Sequence, residues 1–392
     1  MSRLPERSVC VLHVLPDLAL GGGQVIVRNL VSEPVEGVRH EVAALRGGVM
    51  ADSFARAGVP VWVADARSPV QLARAVRDLA AKVRREGVDV IHTNNTPLDR
   101  FVGVVVARVT GRPTVNTLMA IASSHRPRLE GEPLTRFARR RAGNLVNRAV
   151  ARFGVDQIVA LSDTVRRAHA EALKVPCERI EVLHPGVPTP EAPAAADIAR
   201  RRQELGLDGA YPVLICVGRL EENKGQRDLP AALARIVERL PDACLLLAGD
   251  GPDRARLERS FAEAGLADHV RVLGQRQDVP VLLRCSQVLV STAHHEGFGM
   301  AVLEAMAAGC AVAAYDNDHV AIREFVTDGV DGRLVAEDPQ RLAAAVMELA
   351  DSPERLGEAG RAAAAKAAAL TSQASARRYA SLYRDLATRR RG

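Results

Sequence analysis

The chain predicts an α/β protein made of two doubly wound, parallel-sheet domains, and three observations carry that reading. Short apolar runs alternate with helix-period segments from one end of the 392 residues to the other. Those runs are apolar at nearly every position, as strands covered on both faces of a parallel sheet must be. The composition then shifts in the Pro- and Ala-rich stretch PTPEAPAAADIARRRQELGLDGAYP, which reads as a linker. A chain of this length can bury two cores. The domains fall at about 1–187 and 188–371.

In chain order, the strands of the first domain are expected at 9–15, 40–45, 60–64, 88–92, 113–118, 156–161 and 179–183. The second domain supplies 212–218, 243–248, 270–273, 287–291, 311–314 and 333–335. Between them lie segments such as SPVQLARAVRDLAAKVRREG and GQRDLPAALARIVERL, whose apolar residues recur every three or four positions and predict helices. The opening apolar run, VCVLHVLPDLAL, is interrupted by Pro16 and Asp17, and no small-residue cleavage site follows. It reads as a buried first strand rather than a signal peptide. The final segment, TSQASARRYASLYRDLATRRR, is one amphipathic helix that either completes the second domain or crosses back onto the first.

Composition narrows the function. Hydrophobic residues make up 47% and charged residues 26%, the balance of a soluble globular protein. Aromatics at 3% are too scarce for the stacking platforms that read single-stranded nucleic acid, so no nucleic-acid partner is expected. A formal charge of +6 suits an anionic ligand or a membrane surface, and fits a high-arginine composition equally well. Cys10, Cys177, Cys216, Cys244, Cys285 and Cys310 show no metal-like spacing and lie mostly in apolar runs, as buried reduced thiols do. No stretch approaches the roughly 20 apolar residues of a membrane-spanning helix, and a cytoplasmic protein is expected.

In doubly wound folds, ligands bind beyond the carboxyl ends of the strands. After 9–15 comes LALGGGQVIVRNL, where Gly22 and Gly23 open a helix whose bare amides attract phosphate. Ile26 stands where a dinucleotide fingerprint needs its third glycine, and the next strand ends in Arg46 with no acid for a ribose. A nicotinamide enzyme is therefore disfavoured. After 212–218, the loop GRLEENKG brings Arg219 and Lys224, two cations able to hold a pyrophosphate.

After 287–291 comes HHEGFGMAVLEAMAAGCAV. Were it all helix, Glu296 and Glu304 would lie roughly 80° apart and about 12 Å along the axis, a poor acid/base pair. The glycines instead place Glu296 on a loop and Glu304 one turn into a helix that begins near Met300. Amides of Gly299, Met300 and Ala301 then face an anion. Glu304 is positioned to accept from ribose hydroxyls, and Glu296 to reach a group beyond the phosphates.

Taken together, GRL…NKG, LLLAGDGPDRARLE and EGFGMAVLEAMAAGCAV resemble the retaining glycosyltransferases of the GT-B fold, family 4 (group 1). The first domain is similar more loosely, through its glycine loop, DVIHTNN, DQIVALS and IEVLHPGV. The resemblance implies two Rossmann-like domains with an interdomain cleft. The first would bind the acceptor, with the last helix, 372–392, packed back on it; the second would bind a nucleotide sugar. It implies that Arg219 and Lys224 contact the pyrophosphate, Glu304 the ribose and Glu296 the sugar hydroxyls. Phe298, Gly299, Met300 and Ala301 would line sugar and phosphate with backbone amides, and Arg276 in GQRQDV would frame the base. It further implies same-face attack, with the donor phosphate taking the acceptor's proton, and no cofactor.

One departure from the pattern stands out. The family commonly carries a histidine just after the strand that here reads PTVNT, where this chain has Leu118 and Met119. Met119 cannot donate a hydrogen bond; His125 in SSHRPR is the candidate replacement, and His92 and His184 end neighbouring strands. Asp316, Asn317 and Asp318 tempt a metal reading, but the family has a variable loop there, and no metal site is expected. The segment RPRLEGEPLTRFARRRAGNLVNRAVARFG is expected to pack Leu134, Phe137, Leu145, Val146, Ala149 and Phe153 and to turn Arg139, Arg140 and Arg141 outward. That face would be either solvated or a peripheral membrane contact.

The sequence thus predicts transfer of a hexosyl unit from a nucleoside-diphosphate sugar to an acceptor hydroxyl, with configuration retained and no metal. The base of a UDP-, GDP-, ADP- or TDP-sugar is left open. A sugar-nucleotide epimerase or a phosphorylase on the same fold, and an inactive nucleotide-sugar-binding partner subunit, are the alternatives.

Overall fold

The computed structural model describes residues 8–94, 96–121, 134–189 and 193–389, without the side chains of 134–141. The chain divides into unit one, Met1–Pro188 with Ser372–Gly392, and unit two, Thr189–Thr371. Each is built around one all-parallel sheet.

Unit one contains β1 (Val9–Leu15), β2 (Val38–Ala44), β3 (Val61–Val63), β4 (Val90–Asn94), β5 (Thr114–Leu118), β6 (Gln157–Ala160) and β7 (Ile180–Val182). They lie in the order β3-β2-β1-β4-β5-β6-β7. Every residue of β1, β4 and β5 is buried; β1 is apolar but for His13, whereas β4 and β5 also bury His92, Thr93, Asn94, Thr114, Asn116 and Thr117. The helices are bounded by local chemistry. Ser68 caps Pro69–Arg85 through the amide of Gln71. Thr96 and Asp99 form a reciprocal capping box on Pro97–Thr110, which ends at the left-handed Gly111.

The terminal helix Ser372–Arg389 lies on the unit-one sheet, burying Ala376, Tyr379, Tyr383 and Leu386 against Val9, Val11, Val90, Val115 and Val159. Polar groups fix its register. His92 Nδ1 lies 2.7 Å from the Tyr383 hydroxyl and Nε2 2.7 Å from Thr117 Oγ1, which in turn meets the Tyr379 hydroxyl at 3.1 Å. His13 stands beside His92 (ring centroids 4.9 Å apart) and places Nε2 3.0 Å from His40 Nδ1. Burial holds all three rings below the usual imidazole range, His92 at about 3 and His40 at about 4, with His13 lowered further by its two histidine neighbours.

The packed stripe expected from 134 to 153 is not what forms. Leu145, Val146 and Phe153 are exposed at 67%, 53% and 71%, too open to be core. The helix Leu134–Ala149 runs into a π turn, Val150–Gly154, which takes up extra residues per turn and breaks the 3.6-residue phase linking 149 to 153. Its inward contacts are polar: Arg100 Nη1 donates to Asn147 Oδ1 at 2.7 Å, and Arg148 Nε donates to the Ala172 carbonyl at 2.8 Å. The side chains of Leu134, Phe137, Arg139, Arg140 and Arg141 lie outside the described residues.

Unit two contains β8 (Val213–Val217), β9 (Cys244–Ala248), β10 (Val270–Gly274), β11 (Val288–Ser291), β12 (Ala311–Tyr315) and β13 (Gly332–Val335), ordered β10-β9-β8-β11-β12-β13. Its core joins Leu214, Leu245, Leu247, Val288 and Val290 to Leu233, Ile236, Leu342 and Val346 of two covering helices. The strand order reverses between β8 and β11, so the loops leaving those two strands diverge and open a crevice at their carboxyl ends. The cysteines are all free, with Cys177 the one that is not fully buried. Among the described residues no helix is long and apolar enough to cross a membrane.

Candidate active site

The two loops at the β8/β11 reversal are fastened to each other by backbone chemistry. After β8 the chain passes through Arg219 into a short turn, Glu222–Lys224, and ends on Gly225 with φ +64°. That glycine is required twice over. Its φ is left-handed, and a Cβ there would sit 2.1 Å from the Thr292 carbonyl oxygen at the end of β11. The contact lets Thr292 Oγ1 donate to the Lys224 carbonyl at 2.8 Å, while the amides of His294 and His295 donate to the Asn223 carbonyl at 3.0 and 3.3 Å.

The β11 loop is held from its other side as well. The amide of Glu296 donates to the His319 carbonyl at 2.9 Å, and the Glu296 carbonyl accepts from Ala321 at 3.3 Å, making a small parallel bridge to Val320. The Phe298 ring is 2% exposed and stacks on Phe325 with centroids 4.8 Å apart, so Phe298 offers the site its backbone only. Gly299 turns the chain at φ +94° into the helix Met300–Ala308, where a Cβ would press on Phe325 at 3.3 Å. No side chain caps this helix. Its first-turn dipoles, at Met300 and Ala301, therefore point into the crevice.

Lys224 and Glu296, 72 residues apart, meet here: Lys224 Nζ lies 2.5 Å from Glu296 Oε2, with the side chains 23% and 33% exposed. A small cavity is lined by both, together with Gln226, Thr292, Gly299 and Ala301. Glu304 is half-buried on the second turn of the helix. Glu296 thus stands on the loop and Glu304 on the helix. Cys216 also borders the cavity, but burial pushes its thiol up to about 12, so it supplies no thiolate.

Other candidates are engaged elsewhere. Arg219 is 69% exposed and lies 3.4 Å from Glu221, outside the residues lining the cavity. Arg276 forms a two-pronged pair with Asp278, both contacts 2.8 Å, and Asp278 also meets Arg201 at 3.0 Å. Gly22 and Gly23 belong to unit one, where they begin an uncapped helix, Gly22–Ser32, with open space around the Cβ position of Gly22. His92 is fully buried with both ring nitrogens occupied, so its ring serves the terminal helix and is closed to an acceptor. His184 Nδ1 lies 3.1 Å from the Leu161 carbonyl. Met119 is buried directly after β5. His125 lies outside the described residues.

Asp316 pairs with Arg323 at 2.6 Å, and Asn317 reaches Glu337 and the His294 carbonyl. Among the described residues no group of three or more His, Cys, Asp or Glu side chains is placed to hold a metal ion.

Sequence reasoning missed Thr292, Asn223 and Gln226, which carry the connection between the loops. The available signal was the glycine of NKG, since a left-handed residue beside a site cation implies a close approach. Gln226 Nε2 donates to the Arg219 carbonyl at 2.9 Å and so ties the start of the β8 loop to its end.

Comparisons with known proteins agree with this architecture. Residues 197–366 match the family model for glycosyl transferases group 1, and residues 20–191 match that for Glycosyltransferase Family 4. A D-inositol 3-phosphate glycosyltransferase of Thermobispora bispora is 32% identical over 76% of this chain and 70% of its own length. An alpha-D-kanosaminyltransferase of Streptomyces kanamyceticus is 27% identical over 79% and 78%. The Anabaena protein HepE, solved in complex with UDP and glucose, matches with a TM-score of 0.83 at 23% identity, covering 96% of this chain and 100% of that one. The chain belongs to the glycosyltransferases of group 1, family 4, and its two Rossmann-like units are those of the GT-B fold.

Proposed function

We propose that this glycosyltransferase moves a hexosyl unit from a nucleoside-diphosphate sugar to an acceptor hydroxyl, with retention of configuration and without a metal ion. The observation that carries the reading is the meeting of Lys224, Glu296 and an uncapped helix N-terminus around one cavity at the β8/β11 reversal. Cleavage of a sugar–phosphate bond builds positive charge at the anomeric carbon and negative charge on the leaving diphosphate. Lys224 and the amides of Met300 and Ala301 stabilise the latter, the part a divalent ion plays in other enzymes. Arg219, exposed at the rim beside Glu221, closes on the same phosphates from outside. Glu304 accepts from the ribose hydroxyls and Glu296 from the sugar's. With no thiolate, free histidine or second carboxylate against the cavity among the described residues, the donor's own phosphate oxygen takes the acceptor proton as the hydroxyl attacks on the same face.

Unit one takes the acceptor in this reading. It also presents Leu98, Phe101, Leu145, Val146 and Phe153 to solvent beside the exposed Arg108 and Arg152, a composition suited to the surface of an anionic bilayer. Sedimentation with anionic and neutral vesicles tests that contact.

The donor assignment is tested by thermal shift with UDP-, GDP-, ADP- and TDP-sugars in the presence of EDTA. One of these raises the melting temperature, because a ligand at about 100 times its Kd adds about 2.7 kcal/mol to the folded state. No shift with any of them, or a shift abolished by EDTA, contradicts the reading.

A further inference from the structure

We propose that the Lys224–Glu296 ion pair is the element that makes the site prefer a sugar-bearing donor over the free nucleoside diphosphate. The inference rests on the donor assignment above and adds a second role to Glu296, that of expelling the product.

The two backbones that present the pair cannot easily retreat. Lys224 is fixed through its carbonyl by Thr292 and through Gly225 by close contact with the Thr292 carbonyl. Glu296 is held by hydrogen bonds on both sides of its peptide, to His319 and Ala321, and its Cγ lies 3.6 Å from the Cβ position of Gly299. Only the side chains are free to exchange partners. They meet at 2.5 Å beside the first turn of Met300–Ala308, on the course a diphosphate must follow to reach both Lys224 and those amides.

Donor binding is therefore an exchange. Lys224 passes from the carboxylate to the diphosphate, whose higher charge density attracts it more strongly. Glu296 then loses its cation and needs new hydrogen-bond donors. A nucleotide sugar supplies them as hydroxyl groups. A free nucleoside diphosphate supplies none, and its terminal phosphate carries additional negative charge into the space facing Glu296. Like charges brought together in a partly buried site repel strongly, and an abandoned carboxylate there is costly. After transfer, the sugar's hydroxyls leave with the new glycoside, Lys224 returns to Glu296, and the diphosphate is released. The arrangement reads the presence of the sugar without touching the reacting bond.

The test is calorimetric titration of the full chain, wild type and Glu296→Gln, with the nucleoside diphosphate and the nucleotide sugar of the base selected in the thermal-shift panel. Glutamine keeps the shape and removes the charge, so Glu296→Gln is expected to bind the nucleoside diphosphate about tenfold more tightly than wild type. Its affinity for the nucleotide sugar stays level or falls, so that the wild-type preference for the sugar-bearing form shrinks at least tenfold. Glu296→Ala, which also frees Lys224, shows the same tightening and guards against a peculiarity of glutamine. Unchanged or weaker diphosphate binding in both variants, with melting temperatures showing that they fold, overturns the proposal. A wild-type chain that binds none of the nucleotide sugars fails the donor assignment instead, and takes the exchange with it.

Discussion

Lys224→Met is expected to lower turnover by about three orders of magnitude while the protein remains folded. Lys224 is the one cation lining the cavity among the described residues, since Arg219 and Arg276 are directed to Glu221 and Asp278. Its removal leaves the departing diphosphate to the helix dipoles and to Arg219 at the rim. The lost charge weighs on the transition state more than on the ground state, so kcat falls further than KM rises. Restoring neutrality in Lys224→Met/Glu296→Gln recovers part of the donor affinity but little of the rate. Lys224→Arg keeps the charge, yet its planar fork does not fit the geometry of a single ammonium at 2.5 Å, and a loss of one to two orders is expected. Activity within tenfold of wild type in Lys224→Met, measured as nucleoside diphosphate released, contradicts the assignment.

The second large effect is on stability, and it appears in acid. His13 and His92, both buried, and the half-buried His40 form one group between the unit-one sheet and the terminal helix, facing Thr117, Tyr379 and Tyr383. In the unfolded chain each ring titrates near ~6.5. In the folded protein all three are held lower, His40 at about 4 and His92 at about 3, by burial first and by neighbouring rings second. Above pH ~6.5 both states are neutral and no stability is lost. As pH falls below that value, the unfolded chain takes up protons that the folded chain refuses, and stability declines until the folded values are reached. At pH 5 His40 and His92 each contribute about 2 kcal/mol to that decline and His13 acts in the same direction, a sizeable share of the 5–15 kcal/mol typical of a whole domain. Trp62, the single tryptophan, lies half-buried on β3 and reports unit one alone. Urea titrations followed by its fluorescence should show the midpoint dropping steeply between pH 7 and 5, and less steeply in His40→Gln. A midpoint that does not move over this range contradicts the account of the cluster.

The fold was legible because its signals are local. All thirteen strands appear close to where apolar runs placed them, although β4 and β5 also bury His92, Thr93, Asn94, Thr114, Asn116 and Thr117. The helix that follows HHEGFG was legible from its glycines for the same reason: only a left-handed turn at Gly299 allows a loop carboxylate and a helix carboxylate so close in sequence. What composition and periodicity could not give was adjacency. Lys224 and Glu296 meet only because β8 and β11 are neighbours across the reversal, with β9 and β10 lying on the other side of β8. His92 reads in sequence as the end of a strand near a ligand; only the terminal helix, 291 residues on at Tyr383, shows that its ring is enclosed. The stripe failed at Phe153 because a periodicity argument assumes one helical pitch throughout and the π turn at Val150–Gly154 changes it, while Leu145 and Val146, on the regular helix before it, are simply left facing solvent.

In the proposed mechanism the site stabilises a departing diphosphate, and among the described residues the cavity wall offers no group to attack the sugar from behind. In that mechanism Lys224 and the helix amides lie on the leaving-group side, and the one carboxylate lining the cavity among the described residues, Glu296, is tied to Lys224. The most direct measurement is the anomeric configuration of the first-formed product, followed by proton NMR from an α-linked nucleotide sugar. The account predicts an α-linked glycoside, with the small anomeric coupling constant of the donor kept. A β-linked product would contradict it, because inversion demands a base placed opposite the diphosphate to activate the acceptor.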